Sequence, residues 1–417
     1  MSKKLIENIS YLSVLHVFNN ALPLLVIPYL INILDEELYG VIILSQSLIT
    51  YFLTLTDFGF TLSSTRDISI YRNDKNKIRE IVSTVYIIKL FLFFLSLIIF
   101  LILLYFSPKF NEYSEVYLLT FMGVLGQILF PIWFFQGIEN MKYITIINVI
   151  TKVVFTSLIF LVVQEKGDYL YVPLFYSLGF LVSGIWAFYI LIFKYSIKFV
   201  EVSKVTLINT FNDSFYFFLS RLSSIGYSNT NTFMIGIMLP ISYVTYYYIA
   251  DKIVNAVSKI FLPVQQALYP YLVNIFSKKI FKLSTLLMFV MAIFAAIMIS
   301  FFSDFLSLLF LKKEVEIFIY ILKTLVIIIP ISLLYTSLGA PLLLAKGFVK
   351  EFNRSIIYGF ILHLILIGIL YFLSIKFNLI SDVILYYFCV FMILSKFSVL
   401  VIRTYYVQKK QLFKEIL

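Results

Sequence analysis

The sequence predicts an all-α membrane protein with about twelve transmembrane helices. Of its 417 residues, 61% are hydrophobic and only 13% are charged, and the mean hydropathy is +0.98. Soluble domains are about half apolar and about a quarter charged, so this chain lacks the polar residues that a water-facing surface requires. The apolar residues recur in blocks of about twenty, the length of a transmembrane helix. A transmembrane β-barrel would instead show alternating segments of about ten residues.

Twelve apolar blocks follow one another along the chain, and short loops separate them. They cover residues 10–33, 39–62, 81–106, 115–137, 143–163, 170–193, 208–238, 243–270, 283–303, 317–344, 355–374 and 383–406. The longest loop, residues 63–80, is too short to form a soluble domain. Six spans in each half predict two lobes, residues 1–200 and 201–417. An even number of spans gives both lobes the same orientation, the parallel-repeat arrangement of several secondary transporters.

The distribution of basic residues predicts the orientation of the chain. Most Lys and Arg residues in the loops and at the ends of the spans lie on the side of the N-terminus, and the last of them are Arg403, Lys409, Lys410 and Lys414. The opposite loops contain Lys109, Lys166, Lys312, Lys313 and Lys376. Because basic loops stay in the cytoplasm, both termini are expected there. The formal net charge of +11 therefore relates to membrane orientation, and we expect no nucleic-acid partner.

No pattern for catalysis, cofactor binding or metal binding occurs in the sequence. Cys389 is the single cysteine, and His16 and His363 are the two histidines, far apart along the chain. The phosphate-binding loop, the dinucleotide-binding glycine motif and the zinc-protease motif are all missing. We therefore expect no enzyme, no catalytic residue, no cofactor and no metal. Any driving force must come from an ion gradient or from the gradient of the substrate.

Ionisable residues inside the spans are the candidates for function. A charge near the bilayer centre costs at least about 2.5–3.5 kcal/mol, so each needs a partner, a wet cavity or a path to the interface. The ten such residues are Asp57, Lys89, Lys152, Asp213, Arg221, Asp251, Lys252, Lys259, Lys323 and Lys396. Arg221 and Lys252 are predicted near mid-depth, and Lys252 and Lys259 share one helix face because they are seven residues apart.

Two interpretations of these charges remain open. In the first, Asp213, Asp251, Arg221 and Lys252 form pairs between helices that hold the fold together. In the second, the excess of positive charge lines a water-filled cavity suited to an anion such as a phosphate.

Three stretches of the sequence resemble one family of bacterial transporters. The first comprises residues 23–30 (PLLVIPYL), Tyr39-Gly40, 55–60 (LTDFGF) and 64–69 (STRDIS). The second comprises residues 131–139 (PIWFFQGIE) and 141–143 (MKY), and the third 247–253 (YYIADKI) and 265–270 (QQALYP). The stretches are similar to those of the polysaccharide flippases, the Wzx-type O-antigen transporters of the multidrug/oligosaccharidyl-lipid/polysaccharide exporter superfamily.

The resemblance implies a fold, a substrate and a location. The fold would be two six-helix lobes in a V that opens to one side of the membrane at a time. The substrate would be an oligosaccharide repeat unit on undecaprenyl diphosphate, which moves from the cytoplasmic to the periplasmic leaflet of the bacterial inner membrane. Membrane lipids, a polysaccharide polymerase and a chain-length regulator are the other partners that it implies.

The positions of the intramembrane residues, together with the resemblance, suggest roles for them. Arg221, Lys252 and Lys259 are expected to contact the diphosphate. Asp57, Asp213 and Asp251 are candidates for gating or ion coupling. Asn19, Asn20, Lys89 and Lys152 are candidates for lining the cavity. The first span has no carboxylate, although some drug-exporter relatives place their ion-coupling acid there, so proton coupling and sodium coupling both stay open.

Two other functions compete with the flippase. A multidrug or organic-cation antiporter of the same fold would need an acidic cavity, whereas seven of the ten intramembrane residues are basic and three are acidic. A membrane-embedded polymerase, glycosyltransferase or ligase would need a sizeable domain outside the membrane, and the spacing of the spans leaves no room for one.

Overall fold

Continuous apolar runs form long helices in this chain because a helix satisfies its own backbone hydrogen bonds in lipid. The computed structural model describes residues 3–274 and 277–412, except for the side chains of residues 3–6, 8–10, 12, 13, 16, 17, 20, 267, 270, 271 and 274. This described part consists of helices and turns, without a β-strand, which confirms the predicted all-α class. The chain divides into unit 1, Met1–Leu222, and unit 2, Ser223–Leu417. The two predicted membrane lobes stay a prediction.

Unit 1 contains eight helices and the beginning of a ninth. They are α1 (Lys3–Asp57), α2 (Phe60–Ile70), α3 (Lys75–Phe106), α4 (Pro108–Asn111), α5 (Ser114–Leu129), α6 (Ile132–Gly137), α7 (Met141–Val162), α8 (Tyr171–Tyr189) and α9 (Lys204–Met238). A 3₁₀ turn at Lys166–Leu170 precedes α8, and a π-helical turn at Ile190–Lys194 follows it. The boundary between the units lies within α9.

The long helix α1 is interrupted at Asp35. This residue has φ 67° and ψ 178°, which are not helical values. Its Oδ1 accepts hydrogen bonds from the backbone N–H groups of Glu37 (3.0 Å) and Leu38 (3.1 Å), and its Oδ2 contacts Lys166 at 2.7 Å. The carboxylate thus caps the second half of α1, because the first N–H groups of a helix have no partner within the helix.

A second interruption separates α1 from α2 and positions the candidate site. Phe58 and Gly59 both have positive φ, 43° and 80°. An added Cβ at Gly59 would lie 2.6 Å from Phe217 Cβ and 2.8 Å from the Ser214 carbonyl oxygen. Only glycine tolerates both that conformation and so close an approach of α9. The start of α9 therefore packs directly against the α1–α2 junction.

Small residues allow α5 and α8 to approach closely. A side chain at Gly184 would collide with the carbonyl oxygen of Gly126, and one at Gly126 would collide with the backbone at Phe180 and Leu181. Helices inside a membrane associate chiefly through such close packing, since lipid removes most of the hydrophobic driving force between them.

Unit 2 contains the rest of α9 and eight further helices. They are α10 (Ile241–Lys259), α11 (Leu262–Asn274), α12 (Lys278–Phe301), α13 (Ser303–Leu311), α14 (Glu316–Leu325), α15 (Ile328–Leu338), α16 (Val349–Phe377) and α17 (Ser381–Lys409). A π-helical segment, Gly339–Leu344, follows α15 directly. The core of unit 2 contains the fully buried rings of Tyr247, Phe318 and Phe388.

Nine helical stretches within the described residues are long and apolar enough to cross a membrane. One of them, Ala21–Ile70, contains most of predicted spans 1 and 2. Predicted spans 7 and 8 coincide with α9 and with α10–α11, which are not among the nine. The count of twelve spans and the cytoplasmic termini therefore stay predictions.

Candidate functional site

Three predicted residues meet inside unit 1. Asp57 ends α1, Lys89 lies in α3, and Arg221 lies in the part of α9 that belongs to unit 1. The Arg221 Nε atom is 3.4 Å from Asp57 Oδ2, and the other carboxylate oxygen accepts a hydrogen bond from Thr61 Oγ1 at 2.7 Å. Lys89 lies within electrostatic range of both Asp57 and Arg221. We call Asp57, Lys89 and Arg221 the Asp57 cluster.

The Asp57 cluster has more positive than negative charge. Asp57 is 6% exposed and Lys89 3% exposed, whereas the Arg221 side chain is 37% exposed. Among the described atoms, Asp57 Oδ2 and Arg221 Nε have no hydrogen-bond partner, so their contact is an ion pair without hydrogen-bond alignment. Two cations around one carboxylate leave one excess positive charge. This arrangement is electrostatically suited to an anion that reaches Arg221.

Aromatic and hydroxyl contacts hold α9 beside this cluster. The Phe58 ring is sandwiched between Phe211 and Phe218, with centroid distances of 4.3 and 5.0 Å. The hydroxyl groups of Ser63 and Ser214 are 2.8 Å apart. The pairing of Arg221 with Asp57 therefore depends on the same helix junction that requires Gly59.

Three other predicted residues meet inside unit 2. Asp251, Lys252 and Lys259 all belong to α10. Asp251 is 6% exposed and accepts hydrogen bonds from Ser228 Oγ (3.3 Å) and from the Asn255 side chain. Asp251 and Lys252 also interact electrostatically with Lys259. We call Asp251, Lys252, Lys259 and Lys396 of α17 the Asp251 cluster, since the charge of Lys396 also acts on Asp251.

Aromatic rings hold two lysines of the Asp251 cluster. The Lys252 Nζ atom is 4.9 Å from the centroid of the Tyr248 ring. The Lys396 Nζ atom is 4.5 Å from the centroid of Tyr227 and 5.8 Å from that of Tyr335. Such contacts stabilise an ammonium group without neutralising it. The sequence left Lys396 without an assigned role, and no motif indicated the two tyrosines.

Arg403, which the distribution of basic residues assigns to the cytoplasmic C-terminal segment, is a buried residue of unit 2. It lies in α17 at 2% exposure, and its location on the cytoplasmic side stays a prediction. Its Nε donates to Ser355 Oγ at 2.9 Å, and its Nη1 donates to the Tyr335 carbonyl oxygen. Its guanidinium carbon is 4.5 Å from the Phe352 ring centroid. Gly339, at the start of the π-helical segment, leaves the space that the guanidinium fills.

The remaining predicted residues lie apart from both clusters. Lys152 of α7 donates a hydrogen bond to Asn19 of α1, so these two cavity candidates contact each other. Asp213 is exposed on α9, whereas Asp57 is buried. The side chain of Asn20 lies outside the described residues. The roles of all these residues in gating, ion coupling and cavity lining stay predictions.

A family model described as "Polysaccharide biosynthesis protein" matches residues 5–276 of the chain. The chain belongs to this family. The match covers unit 1 and the α10 helix with its three charged residues. It supports the resemblance that the three sequence stretches indicated.

Two relatives of this family member are each named "Putative O-antigen transporter". The relative from Escherichia coli (strain K12) is 28% identical over 264 residues, 63% of this chain and 64% of the relative. The relative from Shigella dysenteriae is 25% identical over 365 residues, 86% of this chain and 91% of the relative. The chain thus spans just under two thirds of the Escherichia coli relative. Both names describe transporters, which confirms the expectation that the protein is not an enzyme.

A solved structure shares the fold of this polysaccharide biosynthesis protein. It is the inward-facing conformation of a multidrug resistance MATE family transporter of the MOP superfamily. The TM-score is 0.67 at 14% identity, and the superposition covers 92% of this chain and 97% of that one. An identity this low supports a common fold alone. Together with the apolar helices, it makes the chain a multi-pass membrane protein with a transporter fold.

Proposed function

We propose that the protein flips an undecaprenyl-diphosphate-linked oligosaccharide repeat unit, of O-antigen or a related surface polysaccharide. The substrate passes from the cytoplasmic to the periplasmic leaflet of the bacterial inner membrane. Transport occurs by alternating access, with residues 1–200 and 201–417 as the two lobes. A polysaccharide polymerase and a chain-length regulator are the proteins that would act on the delivered unit.

The observation that carries this proposal is the excess of positive charge inside both units. The Asp57 cluster contains two cations and one carboxylate, and the Asp251 cluster contains three lysines and one carboxylate. Burying cations in membrane helices is unfavourable, so their presence favours a function that uses them. A sugar diphosphate offers oxygens that accept charge-assisted hydrogen bonds from Arg and Lys, while its polyprenyl tail can stay in lipid.

Within this proposal, Arg221, Lys252 and Lys259 contact the diphosphate, and Asp57 and Asp251 compete with it for these cations. Lys89 adds a second positive charge on the buried side of the Asp57 cluster. The contact between Asn19 and Lys152 supplies polar groups that can hydrogen-bond sugar hydroxyls. Asp213 is the third candidate for gating or ion coupling.

Transport by the purified full chain in proteoliposomes tests the proposal. The measurement is the transbilayer movement of a fluorescent undecaprenyl-diphosphate oligosaccharide, and Arg221→Glu is the first variant. We expect the wild type to move the lipid and the variant to move it at least about tenfold more slowly, because a repulsive charge replaces an attractive one. Lys278→Glu is the matched control, since Lys278 is a charged residue at the start of α12, outside both clusters.

The competing function is tested in the same vesicles. A drug antiporter of this fold would move a small organic cation and leave the lipid-linked sugar in its original leaflet. Movement of the cation alone would overturn the flippase proposal. Equal rates for wild type and Arg221→Glu would overturn the assignment of Arg221 and leave the transported substrate established.

A further inference from the structure

Lys396 is the one member of the Asp251 cluster that does not lie on α10. It enters the cluster from α17 and is partly buried. Its ammonium group faces the rings of Tyr227 and Tyr335, and its charge acts on Asp251. The neighbouring Arg403 is already bound to Ser355 Oγ and to a backbone carbonyl. Of these two α17 cations, Lys396 is therefore the one whose described contacts leave its charged group able to change partner.

The contacts of Lys396 are weaker than those that a phosphate would offer. Lys396 donates a hydrogen bond to the Tyr335 side chain, which is a neutral acceptor, and its contact with the Tyr227 ring gives it no acceptor. A phosphate oxygen forms a short, charge-assisted hydrogen bond with the same group. An anion that reaches the cluster can thus draw Lys396 from the two tyrosine rings. Its four-carbon stem permits this movement, because lysine is a flexible point charge rather than a planar fork.

The charges of the cluster match one kind of phosphate linkage. Lys252, Lys259 and Lys396 supply three positive charges around the single carboxylate of Asp251, so the cluster has two excess positive charges. A sugar linked to a lipid through a diphosphate carries two negative charges near neutral pH. A sugar linked through a monophosphate carries one. Without Lys396, the cluster would match the monophosphate.

We infer that Lys396 makes the Asp251 cluster selective for sugars linked to their lipid carrier through a diphosphate rather than a monophosphate. The inference rests on the proposed function, because it assumes that the lipid-linked sugar reaches this cluster. It adds a specificity-determining residue to Lys252 and Lys259. While the site is empty, the Lys396 ammonium group contacts Tyr227 and Tyr335. When the substrate binds, its second phosphate group replaces the two tyrosines as the partner of Lys396.

The test compares two substrates with the same oligosaccharide and the same undecaprenyl chain, one diphosphate-linked and one monophosphate-linked. The purified full chain is reconstituted in proteoliposomes, and the initial rate of transbilayer movement is measured for each substrate. For Lys396→Gln, we expect about a tenfold loss of the diphosphate rate, the effect of one charge-assisted hydrogen bond. The monophosphate rate should change less than about twofold.

Three variants control the comparison. Lys396→Arg keeps the charge and should keep the preference for diphosphate. Lys396→Met keeps the apolar stem, so it should lose the preference even if Lys396→Gln does not fold. Lys376→Gln removes an exposed lysine that also contacts an aromatic ring, with its Nζ 5.5 Å from the Phe377 centroid, and should behave as the wild type.

Each outcome separates this inference from the proposed function. A ratio of diphosphate to monophosphate rates that is the same in wild type, Lys396→Gln and Lys396→Met would overturn the inference and leave the flippase intact. An equal loss of both rates would also overturn it, because it would make Lys396 a structural residue. If the wild type moves neither lipid, the proposed function itself fails.

Discussion

The rings of Phe58 and Phe218 stack with their centroids 5.0 Å apart and their planes inclined by 15°. Phe58 has a positive φ of 43°, which costs an ordinary L-residue about 1–2 kcal/mol. The stacking thus stabilises a strained residue directly after Asp57. Strain of this kind persists only where the surrounding structure over-determines it. The α1–α2 junction and the Asp57 cluster therefore form one structural element.

Phe58→Ala is expected to weaken this element. The ring is 3% exposed, and removing a buried phenyl group lowers the free energy of unfolding by roughly 3 kcal/mol or more. The measurement is the apparent Tm of the detergent-solubilised protein. Phe294→Ala is the control, because that ring is 64% exposed. An unchanged Tm for Phe58→Ala would show that the stacking contributes no stability.

Gly59→Ala and Gly347→Ala separate backbone strain from steric collision. Both glycines have nearly the same φ, 80° and 83°, so each alanine should lose about 1–2 kcal/mol of unfolding free energy from conformation alone. An added Cβ at Gly59 would also lie 2.7 Å from the Phe218 nitrogen, whereas the space around Gly347 is open to 4 Å. We expect Gly59→Ala to lower the apparent Tm clearly more than Gly347→Ala does. Equal losses would contradict the close approach of α9.

A double-mutant cycle on Asp57 and Arg221 measures their coupling. Asp57→Asn leaves Lys89 and Arg221 near each other without a carboxylate, so it should destabilise the protein more than Arg221→Gln does. The double variant should lose less stability than the two single losses added together. We expect a coupling energy of about 1–2 kcal/mol, since Arg221 is partly exposed and solvent screens it.

The control cycle uses a surface pair of similar geometry. Arg72 Nη1 and Glu139 Oε1 are 3.3 Å apart, and both side chains are 48% exposed. Exposed pairs typically contribute about 0.2–1 kcal/mol. Unfolding free energies of the wild type and the six variants, measured by denaturant titration in one detergent, give both couplings. If the coupling energy of Asp57 and Arg221 is no larger than that of the surface pair, the burial of Asp57 does not strengthen the ion pair.

Hydropathy predicts the helical class of this chain because the bilayer sets the length of a span and requires every backbone N–H and C=O group to be hydrogen-bonded within the protein. It does not predict how consecutive spans connect. In place of the loop expected near Asp35, α1 contains one non-helical residue, Asp35 itself. Its side chain caps the part of the helix that follows. That cap depends on a local conformation that composition does not reveal.

The predicted position of Arg221 and Lys252 near the middle of the bilayer marked them as unusual. It could not show which residues surround them. The partner of Arg221 is Asp57, which lies far away along the chain and is brought near by the packing of α9. Lys396 joins the Asp251 cluster in the same way, from α17. The burial of Arg403 was not predicted, because counting basic residues near a terminus takes no account of the carbonyl group and the rings that contact its guanidinium.

Arg403→Lys tests whether the geometry of the guanidinium, rather than its charge, stabilises unit 2. A lysine has no planar fork, so it cannot donate to both Ser355 Oγ and the Tyr335 carbonyl oxygen while it packs on the Phe352 ring. A buried charge with incomplete contacts remains, and we expect a loss of roughly 3 kcal/mol in the free energy of unfolding. Arg354→Lys makes the same exchange at an exposed position of α16 and should leave the apparent Tm unchanged. If both variants unfold at the wild-type temperature, the positive charge alone suffices, and the carbonyl contact at the start of the π-helical segment has no structural role.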